Sequence, residues 1–87
     1  MERSEFIEEV NKWAKKIGVE PKEIQIRSMK RKWGSCSSKG RVTFNAELLN
    51  QALEQRKKVI VHELLHLKFN SHDKLFKSLV LTYLNEG

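Results

Sequence analysis

The segment Val59-Ile60-Val61-His62-Glu63-Leu64-Leu65-His66 contains H-E-x-x-H, and on a helix residues four apart share one face, so both imidazoles project together. Paired neutral imidazoles are donors for a divalent metal. A glutamate placed directly after the first of them is suited to take a proton from a water at that metal. A catalytic zinc (Zn2+) takes three protein donors and keeps one position open, so a third donor must come from outside this helix. His72 is the expected one. It lies past Asn70 and Ser71, which let the chain turn back before Asp73 opens another helix, and all 3 histidines of the chain fall in this stretch. Glu86, Asp73 and Cys36 are rival donors. Glu86 sits at the chain's penultimate position, where ends fray, Asp73 is needed as a helix cap, and Cys36 reads as a small packed hydrophobe far away in sequence.

A histidine on an apolar helix is often only a hydrogen-bonded core residue. Here two histidines and a glutamate stand among leucines and valines, where burial is costly without a partner, and a metal supplies one. Closed structural zinc sites usually add a fourth, commonly thiolate, donor; with 1 cysteine and 3 histidines the chain is better suited to an open site.

Several elements must position these groups. Phe6, Val10, Trp13, Ala14 and Ile17 recur at helical spacing after a Ser4 cap, and Gly18 with Pro21 ends the pattern. Ile24 and Ile26 alternate as in a strand, with Met29 out of phase as in a bulge. Trp33 to Cys36 and Arg41 to Phe44 flank the turn-forming Ser37-Ser38-Lys39-Gly40, so a small antiparallel sheet is expected. Asn45 is placed to cap a short helix carrying Leu48, Leu49, Ala52 and Leu53, and a longer, more buried helix is expected from Gln55 to Phe69. Asp73 caps a last helix with Leu75, Phe76, Leu79, Val80, Tyr83 and Leu84. The expected class is α+β, with an N-terminal helix, a small sheet and three further helices, in one domain over residues 1–87.

Lysine and arginine exceed the acids by 17 to 11, a formal net charge of +6, which suits polyanionic or acidic partners or simply a solvated basic surface. The lone cysteine excludes a disulfide within the chain, no apolar run approaches membrane-spanning length, and Met1-Glu2-Arg3-Ser4-Glu5 has no signal-peptide pattern. The expected setting is soluble, reducing and cytoplasmic, with no membrane partner.

The separate motifs also occur together in a known order. Met29-Lys30-Arg31-Lys32-Trp33-Gly34-Ser35-Cys36, then Gly40, Phe44-Asn45 and Leu48, then Val61-His62-Glu63-Leu64-Leu65-His66-Leu67, then His72 and Phe76, resemble the YgjP-like metallopeptidase domain family. That resemblance implies a zincin-like fold, zinc on His62, His66 and His72, and a catalytic Glu63. Members of the family are longer, so the chain is expected to be a minimal or excised version; where they carry asparagine and tryptophan it has Ser71 and Lys77. Peptide or protein is the expected substrate, with Arg31 or Tyr83 as candidate oxyanion donors and Trp33 shaping the cleft. An extended substrate is expected along Arg41 to Phe44 or Ile24 to Lys30. Two rivals remain: a zinc-dependent nucleotide or phosphoester hydrolase using Arg27, Lys30, Arg31 and Lys32, and a non-catalytic basic nucleic-acid-binding module with structural zinc.

Overall fold

Phe6, Val10, Trp13, Ala14 and Ile17 form one buried stripe of α1, which runs Arg3–Ile17 in a computed structural model describing residues 1–69 and 73–86. The helix begins earlier than a Ser4 cap would allow, because Glu2 is the cap and its backbone N–H donates to the Glu5 carboxylate at 2.8 Å. Gly18 ends it in the left-handed conformation at φ 85°, and the N–H groups of Gly18 and Val19 both donate to the Ala14 carbonyl.

Three strands follow: β1 (Glu23–Arg27), β2 (Gly34–Cys36) and β3 (Arg41–Asn45). The hairpin between β2 and β3 is antiparallel as expected, with Ser35 opposite Thr43, and its turn closes through Ser37 N–H to the Arg41 carbonyl and Gly40 at φ 93°. The expectation of a wholly antiparallel sheet is corrected at β1. That strand pairs parallel to β3, with Ile24 opposite Val42 and Ile26 opposite Phe44, so the sheet is mixed in the order β1-β3-β2. Strand β3 is thereby central and buried from Val42 to Asn45.

Asn45 caps as expected, its side chain accepting from Glu47 N–H at 3.0 Å, but the short helix that follows is 3-10, Ala46–Asn50. Ala52 and Leu53 belong instead to the cap and first residue of α2, Leu53–Leu65. Ile60, Val61, Leu64 and Leu65 bury α2 against the sheet and α1, and Arg56 ties it to α1 through a two-armed pair with Glu9 at 2.9 and 3.2 Å. Hydrogen bonding to Glu9 holds the Arg56 pKa above its ordinary value. Beyond Leu65 the turns tighten, since His66, Leu67 and Lys68 each donate to the carbonyl three residues back, and α2 stops short of Phe69. Helix α3 (Lys74–Glu86) starts on the expected cap, with Phe76 N–H donating to Asp73 Oδ1 at 3.0 Å.

Candidate metal centre and active site

Helix α2 carries His62 in its last turn and His66 at its C-cap, and the tightened turn still leaves the rings side by side. Their Nε2 atoms are 3.3 Å apart. Two nitrogens bound to one tetrahedral zinc at about 2.0–2.1 Å are themselves separated by about 3.3 Å, so this spacing fits a shared zinc. The second ring nitrogen of His66 lies 3.1 Å from the Phe69 carbonyl. A carbonyl only accepts, so this contact favours the tautomer with the proton on Nδ1, which leaves the Nε2 lone pair on the side that faces His62. Phe76, buried to 1% exposure, stacks on His66 at 4.6 Å and meets His62 edge-on at 5.2 Å, fixing both ring planes from α3.

Glu63 turns toward the sheet. A Cβ placed on Gly34 would come within 2.9 Å of Glu63 Cγ and 3.1 Å of the Thr43 carbonyl, so glycine at this point of β2 is what lets the strand lie against the Glu63 side chain. Cys36, two residues along on the same face of β2, is half-buried; burial first, and the Glu63 carboxylate second, raise its thiol pKa. It is held as a neutral thiol, in keeping with a packed hydrophobe.

Two clefts meet at these groups. One, of about 490 Å³, is lined by Lys32, Trp33, Lys58, His62 and Glu63 among others. Another, of about 480 Å³, runs along β2 past Gly34 and Cys36 and contains His62, Glu63 and His66. Trp33 is 41% exposed at the rim of the first. Arg31 is exposed in the preceding loop and Tyr83 is half-buried against the core from α3; neither lines either cleft. Lys32 lines both, held in place because the buried Asn45 amide donates to the Met29 and Lys32 carbonyls at 2.9 and 2.8 Å.

His72 lies outside the described residues, as does the side chain of Glu86, and among the described residues no group of three donors gathers at one point. Asp73 serves α3 as its cap. The Phe69 carbonyl and the places of Lys58 and Gln55 in the cleft were not anticipated from the sequence, and Lys32 was singled out only as one of four residues suited to phosphate; Gln55, Lys58 and Val59 did carry a signal, since they precede His62 by seven, four and three residues on one helical face.

A model of the YgjP-like metallopeptidase domain matches residues 2–86. The chain belongs to that family. Among solved structures, this YgjP-like domain is similar to the crystal structure of the metallopeptidase zymogen of Pyrococcus abyssi abylysin, with TM-score 0.74 and 25% identity over 86% of this chain and 75% of that one. No curated protein matches it. The YgjP-like domain is therefore a metallopeptidase-family hydrolase domain of α+β, zincin-like fold. Among the described residues no helix is long and apolar enough to cross a membrane.

Proposed function

We propose that residues 1–87 form one zinc-dependent peptidase domain that hydrolyses peptide bonds with His62, His66 and His72 as metal ligands and Glu63 as general base. The 3.3 Å approach of the two Nε2 atoms, with the Glu63 side chain in both adjoining clefts, carries this reading. Zinc supplies a Lewis acid that lowers the pKa of a water and polarises a carbonyl. The Glu63 carboxylate takes a proton from the attacking water and passes it to the nitrogen of the leaving amine. His66 is kept in its donating tautomer by the Phe69 carbonyl, and Phe76 packs against both rings.

The expected substrate edge moves to β2. Strand β3 is central and has no free edge; β1, the other expected strand, and β2 each have a strand neighbour on one side only, and of the two it is β2 that lines a cleft with Glu63. The Trp33 carbonyl and the Ser37 N–H bond to the β3 side, so by alternation the backbone groups of Gly34 and Cys36 point outward, along the cleft that contains Glu63. A substrate segment paired there needs no particular sequence to be oriented. A reducing, cytoplasmic setting belongs to the proposal, supported by the single unpaired cysteine.

The test is Glu63→Gln, which keeps the size and removes the base. Zinc content and fold should match the wild type while turnover on a peptide library falls about a hundredfold to ten-thousandfold. Unchanged turnover in a zinc-loaded variant would remove the mechanism, and lost zinc would make Glu63 a ligand. A nucleotide panel assayed in parallel addresses the phosphoester-hydrolase alternative, which Lys32 and Lys58 favour; hydrolysis of nucleotides and of no peptide would replace the peptidase reading.

A further inference from the structure

Lys32, from the loop before β2, and Lys58, from the middle of α2, line the same cleft as His62 and Glu63. Among the described residues neither makes an ion pair: the side-chain pairs formed are Arg41 with Glu23 and Arg56 with Glu9. The lysines are not placed there by chain flexibility alone. Lys58 stands one helical turn before His62, and the loop bearing Lys32 is anchored by the Asn45 amide at 2.8 Å. Two cations with no ion-pair partner among the described residues thus share the cleft with Glu63, beside the exposed Trp33.

Resting on the peptidase reading, we infer that this cleft is a specificity subsite for an acidic side chain of the peptide substrate, with Lys32 and Lys58 as its charge partners. A carboxylate suits the site better than a phosphate. Bidentate recognition of phosphate uses arginine forks or helix N-terminal N–H groups, and this lining has neither; its donors are the two ammonium groups, Gln55, the indole, His62 and the Gly34 backbone. A dianion would also sit close to the Glu63 carboxylate, which shares the cleft. Distance sets the position of the acidic residue. One helical turn is about 5.4 Å and an extended peptide advances about 3.4 Å per residue, so the acid falls within about two residues of the scissile bond.

The experiment measures binding, so it does not depend on hydrolysis. Zinc-loaded Glu63→Gln protein is titrated with peptides that differ only in Glu, Ala or Lys within two residues of the central bond, followed by tryptophan fluorescence, and the same series is run with Lys32→Glu and Lys58→Glu added together. The Glu peptide should bind about tenfold tighter than the Lys peptide, the gap should narrow at high salt, and the added charge reversals should invert the preference while zinc content stays constant. Equal affinities, or a preference that survives the reversal, overturn the subsite. A nucleoside triphosphate that displaces the Glu peptide at lower concentration than that peptide's own Kd, with this advantage lost on charge reversal, overturns it in favour of a phosphate ligand. If the wild type cleaves no peptide yet the binding preference inverts as described, the subsite stands and only the hydrolytic mechanism falls.

Discussion

His66 reaches its neighbour in a donating form because the Phe69 carbonyl takes the proton of the other ring nitrogen, and Glu63 reaches the cleft because residue 34 has no side chain. The second dependence is testable. In Gly34→Ala the new methyl would meet Glu63 Cγ at 2.9 Å, the Thr43 carbonyl at 3.1 Å and Val59 Cγ1 at 3.3 Å. The carbonyl is fixed in the central strand and the valine is in the core, so the glutamate is the group that yields. A base displaced by about an ångström costs roughly a hundredfold in rate, whereas the overpacking itself costs about 1–3 kcal/mol. The expected result is a large fall in kcat with zinc content retained; a variant with wild-type kcat would show that Glu63 does not depend on this contact. That His62, Glu63 and His66 stand together was legible in the sequence, because one turn of helix carries two imidazoles and a carboxylate. The Phe69 contact was not, since it exists only because α2 tightens after Leu65.

Among the elements, the hairpin, the Gly18 stop, and the Asn45 and Asp73 caps were legible because each is decided by residues a few positions apart. The parallel pairing of β1 with β3 was not. It joins segments 18 residues apart in register, and neither carries a local mark of the partner's direction. The 3-10 geometry of Ala46–Asn50 was hidden for a related reason: the Asn45 cap announces a helix start without fixing its pitch. Helix α3 contributes to the site mainly through Phe76, which contacts both imidazoles. Truncating a buried phenylalanine to alanine costs about 3–5 kcal/mol, enough to unfold a small domain, so Phe76→Leu is the better probe. It should keep the fold, lower the melting temperature and weaken zinc affinity about tenfold or more, by loosening the ring planes the metal needs. Zinc affinity equal to wild type, measured by competition with a chelator, would confine Phe76 to the core.

At the scale of the whole molecule, 87 residues must supply a core from one small sheet and three α-helices, and a chain of this size buries a modest share of its surface. The proposed metal joins α2 to the segment that leads into α3, so it couples the two elements that enclose the site. Because zinc on three histidines requires the folded arrangement, it stabilises the native state by mass action, about 2.7 kcal/mol at a free concentration of a hundred times Kd. For a domain of this length each kcal/mol moves the melting temperature by about 4–8 °C. Stripping zinc with a chelator should therefore lower the melting temperature by about 10–20 °C, and adding zinc back should restore it. His66→Ala separates this from nonspecific effects of the chelator, since it should melt near the stripped wild type and respond to neither treatment. His72→Ala should behave in the same way if it is the third ligand. A zinc-responsive melt in that variant would transfer the third coordination position to Glu86 or Asp73. A wild-type melt indifferent to both chelator and zinc would mean that the two imidazoles hold each other by a hydrogen bond across 3.3 Å and hold no metal between them.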